Sequence, residues 1–107
     1  MKNIFRDKVV IVTGASSGIG EAVAREFAKN GSKVVLAARS DEKLAAITRE
    51  IKALGYDAMY VRTDVSKEED CRNLVERTIE KYGSIHILVN NAGISMRARF
   101  DDVDLGV

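Results

Sequence analysis

The chain has 107 residues, with 17 lysines and arginines against 16 aspartates and glutamates and a net charge of +1; the two signs are interleaved, so the basic stripe that nucleic acid requires is missing. One small domain, residues 1–107, fits this length, burying roughly two-thirds of the unfolded surface around one core. No apolar run approaches the ~20 residues of a membrane span, the first seven residues hold no apolar signal region, and a single cysteine fits a reducing, cytoplasmic setting.

Lys8 to Val12 predicts a buried strand, continuous and β-branched, ending at a glycine turn. The turn, Thr13-Gly14-Ala15-Ser16-Ser17-Gly18-Ile19-Gly20, opens a helix from Gly18 to Lys29 with Ile19, Val23 and Phe27 on one face. Asn30-Gly31 ends that helix. Lys33 to Ala38 forms the second strand. Ser40 or Asp41 caps a second helix, whose apolar positions Leu44, Ile47, Ile51 and Leu54 share one face, and Gly55 closes it. A third strand spans Ala58 to Arg62. Ser66 and Glu69 make a capping box for a third helix with the stripe Cys71, Leu74, Val75, Thr78, Ile79 and Tyr82, ended by Gly83. Ile85 to Val89 is the fourth strand, leading into Asn90-Asn91-Ala92-Gly93. Asp101-Asp102 suggests the start of a fourth helix. Strands alternating with helices over short connections predict an α/β fold, a parallel sheet with helices on both faces.

Glycines at a strand-to-helix junction let backbone come close to a bulky ligand. The helix they open aims unpaired N–H groups and its positive dipole end at the same space, which suits phosphate. No glycine is followed by lysine, so this is not a P-loop. Positions two and five after Gly14 are Ser16 and Ile19, so it is not G-x-G-x-x-G either. The spacing is Thr-Gly-x-x-x-Gly-x-Gly. With Asp64-Val65 after the third strand and Asn90-Asn91-Ala92-Gly93 after the fourth, the chain resembles the short-chain dehydrogenases/reductases, in their classical subtype. The resemblance covers essentially the whole chain but only the first half of a family member. It implies a Rossmann-type sheet of strand order 3-2-1-4, truncated after the fourth strand.

Amides around Ser17, Gly18 and Ile19 are expected to face a pyrophosphate, and the Ser16 and Ser17 hydroxyls to add donors. Gly14 permits the tight turn and Gly20 the close packing of helix on sheet. A dinucleotide with a free ribose 2′-hydroxyl usually meets a carboxylate at the end of the second strand. Here Ala38 is followed by Arg39 and Ser40, and the Arg39 fork suits a 2′-phosphate. The expected cofactor is NADP(H) in preference to NAD(H). By resemblance, Asp64 accepts from the adenine amino group beside the Val65 amide. Asn91, Ala92 and Gly93 line the adenosine ribose, and Thr13 ties the turn to that segment. Asn90 is expected to brace the central strands with both ends of its amide partnered. Cys71 reads as core and His86 as structural, with no metal-ligand spacing around it.

Family members reduce carbonyls or oxidise alcohols by hydride transfer, with a serine and a Tyr-x-x-x-Lys pair. Four places after Tyr56, Tyr60 and Tyr82 stand Tyr60, Asp64 and His86. No catalytic residue is therefore assigned, and this chain alone is expected to be inactive. The resemblance implies a small carbonyl or alcohol substrate for the complete protein and homo-oligomerisation. A bare fourth strand adds self-association as an expectation. The alternative is a non-catalytic dinucleotide-binding or interaction module.

Overall fold

Residues 3–92 are described by a computed structural model. They form β1 (Val9–Thr13), α1 (Gly18–Lys29), β2 (Lys33–Ala38), α2 (Asp41–Ala53), β3 (Ala58–Arg62), α3 (Glu68–Tyr82) and β4 (Ile87–Val89). The strands are all parallel in the order β3-β2-β1-β4, as the resemblance implied. Asp101 and Asp102 lie outside the described residues. Among those described, no helix is long and apolar enough to cross a membrane.

Successive strand side chains point to opposite faces, and here both faces are covered. Val10, Val12, Val34 and Leu36 pack with Ala24 and Ala28 of α1 and with Leu44, Ile47 and Ile51 of α2. Ile11, Val35, Ala37 and Val61 pack with Cys71 and Leu74 of α3. Every residue of β1 is buried, which is why it reads as a continuous apolar run rather than an alternation. Topology explains the split. The chain steps outward from β1 to β2 to β3, then returns past β1 to lay down β4. Right-handed crossovers place helices of outward steps on one face and that of the return step on the other.

Helix ends follow the expected chemistry at their C-termini. Gly31 N–H donates to Ala28 O (3.0 Å) and Ser32 N–H to Phe27 O (3.1 Å). Gly55 and Tyr56 repeat the pattern onto Lys52 (2.9 Å) and Ile51 (3.4 Å). This paired closure satisfies carbonyls that the helix itself leaves open.

Five expectations are corrected. β1 is displaced by one residue, because Thr13 still pairs with Ala37. Ile19 is 75% exposed; α1 buries Gly20, Ala24 and Ala28 instead, since a small-residue face brings the helix closer to the sheet than Ile19 would allow. Leu54 is 70% exposed because α2 stops at Ala53 and Leu54 is its C-cap. The Ser66–Glu69 capping box does not form: Lys67 is the N-cap of α3, and Ser66 donates from both N and Oγ to Asp64 Oδ1 (3.0 and 2.6 Å). Finally, β4 begins at Ile87 rather than Ile85. His86 N–H donates to Val9 O (2.9 Å), while its Nδ1 accepts from Val9 N–H (2.9 Å), so an imidazole replaces the strand carbonyl there. That is the structural role expected of His86.

Candidate functional site

In an open parallel sheet, ligands sit beyond the carboxyl ends of the strands, where successive connections leave in opposite directions. Here that point lies between β1 and β4. Thr13, fully buried at the end of β1, organises it. Its Oγ1 donates to Val89 O (3.3 Å) and accepts from the N–H groups of Asn91 (3.0 Å) and Ala92 (3.2 Å). One hydroxyl thus holds the segment after β4 against the turn after β1, the tie expected of Thr13. Asn91 adds a second strap, donating from Nδ2 to Gly14 O (3.3 Å).

Two glycines make this approach feasible. Gly14 has φ +63°, and a Cβ on it would stand 2.9 Å from Asn91 Nδ2. A Cβ on Gly20 would overlap the Gly14 carbonyl oxygen and stand 2.8 Å from Asn91 Nδ2. The close contact expected at Gly20 is therefore with the turn rather than with the strands. Ser17 is the N-cap of α1 and makes no side-chain cap hydrogen bond. Glu21 N–H already reaches Ser17 O, so the amides of Gly18, Ile19 and Gly20 are the first-turn donors that a helix leaves open to an anion.

Beside this helix start lies a crevice of about 470 Å³, lined by Gly14, Ser16, Ala38, Arg39, Ser40, Thr63, Asp64, Val65, Ser66 and Ala92. It draws on the ends of β1, β2 and β3 and on the segment after β4, so residues up to 78 positions apart in sequence share one wall. Arg39 is exposed at the end of β2, and Ser40, the N-cap of α2, makes no side-chain cap hydrogen bond. Asp64 is held in place. Its N–H donates to Asp70 Oδ2 (2.8 Å), its Oδ1 takes both Ser66 donors, and its carbonyl accepts from Lys67 N–H (3.0 Å). The Ser66 hydroxyl, then the Ser66 N–H, keep the Asp64 carboxyl below the usual range, with Lys67 and Arg39 adding positive charge. An ionised acceptor results, with Oδ2 outside these hydrogen bonds.

The expected site residues thus divide. Gly14, Ser16, Arg39, Ser40, Asp64, Val65 and Ala92 line the crevice. Ser17, Gly18, Ile19 and Gly20 belong to the adjoining start of α1. Asn91 turns its side chain to Gly14, and Gly93 lies outside the described residues. The expectation for Asn90 is not met: its Oδ1 is buried with no hydrogen-bond partner among the described residues, because β4 pairs with β1 alone there. Asp70 and Thr63 were not anticipated. The signal for Asp70 was an acid in the first turn of a helix, able to reach back to the preceding loop. Thr63, buried after β3, continues the ladder by donating its N–H to Ala38 O (2.8 Å). Among the described residues no group of three His, Cys, Asp or Glu side chains could hold a metal ion.

Comparison with known proteins agrees with this geometry. The family model described as short chain dehydrogenase matches residues 8–106. An 11-beta-hydroxysteroid dehydrogenase A from Sesamum indicum is 48% identical over 98 residues, 91% of this chain but 28% of that protein. Actinorhodin polyketide ketoreductase, crystallised with NADPH, superposes with a TM-score of 0.77 at 39% identity, over 82% of this chain and 34% of the other. A short chain dehydrogenase/reductase from Burkholderia phymatum, crystallised with NAD, gives 0.77 at 38% identity, over 82% and 31%. This chain therefore spans about a third of the length of the proteins it matches. From the match over residues 8–106, the parallel sheet and the glycine turn at its switch point, the chain belongs to the short-chain dehydrogenase/reductase family.

Proposed function

We propose that this chain is one partial dinucleotide-binding domain that takes NADP(H) in the crevice beyond β1, β2 and β3. It would serve as the cofactor-binding part of an oxidoreductase acting on a small carbonyl or alcohol substrate. The observation that carries the choice of cofactor is the rim at the end of β2, where the residues lining the crevice are Ala38, Arg39 and Ser40, with no carboxylate among those three. A free 2′-hydroxyl lacks its usual acceptor there, whereas a 2′-phosphate gains a planar, charged fork.

The residues present fit that cofactor. Gly14 and Gly20 keep the turn free of side-chain bulk, and the first-turn amides of α1 suit a pyrophosphate. Asp64 offers an ionised oxygen suited to the adenine amino group, with the Val65 amide beside it. Ala92, and by family resemblance Asn91 and Gly93, would bound the adenosine ribose. When bound, the nicotinamide supplies or accepts hydride. The proton chemistry needs a phenol whose pKa is lowered by a nearby cation, and no tyrosine in this sequence is followed four places later by lysine. Acid–base catalysis thus falls to the rest of the complete protein, and this chain alone is expected to bind without turnover.

Titrating the full chain with NADPH and NADH, read by quenching or enhancement of nicotinamide fluorescence, tests the proposal. NADPH should bind about tenfold or more tightly, the worth of a charge-assisted hydrogen bond, and Arg39→Ala should erase the difference. Equal or tighter NADH binding by the unaltered chain would reject it.

A further inference from the structure

A second cavity, about 610 Å³, lies away from the nucleotide crevice, along the outer side of β3 between α2 and α3. β3 pairs with β2 alone, at one end of the sheet order. Its inward-facing groups are defined by two bonds: Asp57 O accepts from Val34 N–H (3.2 Å), and Thr63 N–H donates to Ala38 O (2.8 Å). Parallel ladders alternate residue by residue, so positions 57, 59, 61 and 63 bond to β2. The N–H and C=O groups of Ala58, Tyr60 and Arg62 therefore face the cavity unpaired by β2. They form a template for one more strand.

Charge selects what that strand can be. The cavity is rimmed by Lys52 of α2, Arg62 of β3, and Arg77 and Lys81 of α3, against the single carboxylate of Asp41. None of the four cations forms an ion pair among the described residues. On the same wall Thr48 is buried with its hydroxyl oxygen unpartnered among the described residues, unlike Thr78, which donates to Leu74 O (2.8 Å). A second copy of this chain pairing through the same edge would bring four cations against four, which disfavours self-pairing.

We infer that the outer edge of β3 receives a short, extended, acidic segment of a partner protein as an added strand. Backbone hydrogen bonds to Ala58, Tyr60 and Arg62 supply register, and the flanking helices supply selection for carboxylates. This inference stands independently of the nucleotide crevice.

The test uses the full chain and two fluorescein-labelled octapeptides, one alternating glutamate with valine and one alternating lysine with valine. By fluorescence anisotropy the glutamate peptide should bind about tenfold more tightly, and its affinity should fall as salt is raised. Amide exchange at Tyr60 and Arg62 should slow on binding. The double substitution Arg77→Glu, Lys81→Glu should lower peptide affinity about tenfold while leaving NADPH affinity unchanged. Tyr60→Pro removes an outward donor but no bond to β2, and should also weaken the peptide. Equal binding of the two peptides, or glutamate-peptide binding without protection of the Tyr60 and Arg62 amides, overturns the inference. So does preferential binding of an oligothymidylate of about the same length.

Discussion

Gly20 carries more of the site than its size suggests. Its missing Cβ is what lets α1 start against the Gly14 carbonyl and Asn91. Gly20→Ala should therefore cost about 1–3 kcal/mol, the usual range for overpacking where backbone cannot give way. It should also weaken nucleotide binding by displacing the first-turn amides. Urea denaturation of the two proteins, with nucleotide titration of the folded fraction, reads both effects; unchanged stability and affinity would contradict this account. Thr13 was expected from the family pattern to tie two segments, and the structure shows three bonds on one oxygen. Nothing local identifies the partners, since Thr13 meets them 76 to 79 positions away.

Among the elements, α3 differs most from its sequence pattern. A Ser-x-x-Glu spacing reads as a capping box, yet Ser66 is committed to Asp64, and Asp70 reaches back to the Asp64 amide. The competing acceptor is two residues before the serine, so local bonding defeats the box. At the other end, Tyr82 is half-buried with its hydroxyl donating to Asp57 Oδ1 (2.8 Å), and Lys33 Nζ lies 5.9 Å from its ring centroid. Burial, then the Asp57 hydrogen bond, raise the Tyr82 phenol well above its ordinary value. An unfolded tyrosine ionises near pH ~10. Above that pH the unfolded chain loses a proton that folded Tyr82 retains, so stability should fall as pH rises further. Ultraviolet titration should show a late tyrosine phase, and Tyr82→Phe should remove it and flatten this alkaline loss. A late phase that survives Tyr82→Phe would refute the assignment.

At the scale of the whole molecule, the two outer strands carry different surfaces. β3 is rimmed with cations. Among the described residues, β4 has three half-buried apolar residues and pairs with β1 alone, and the buried side-chain oxygen of its neighbour Asn90 has no hydrogen-bond partner. These features support the proposal that the β4 side seeks a further strand, from the rest of the protein or from another copy. Sedimentation equilibrium of the 107-residue chain should show mass rising with concentration, and adding the remaining part of the protein should suppress it. A monomer with a sharp, cooperative melt would argue against self-association.

The amino-acid pattern alone determined the four strands and the three helices between them, the placement of three helix C-termini and the glycine turn. Each depends on residues close together in the chain: β-branched runs, helical stripes, and glycine where the last turn must close. It also singled out Arg39, by its place at the end of the second strand, whereas Asp64 was picked out by the resemblance to the family. Tertiary structure decided what depends on distant neighbours. It turned Ile19 outward, set α1 on its small residues and replaced a strand carbonyl with the His86 imidazole, because that crowding and that contact arise only when the sheet brings separate segments together. Leu54 and Ser66 were decided closer to home, by the end of α2 at Ala53 and by the Asp64 carboxylate two residues before the serine, where one local pattern overrode another.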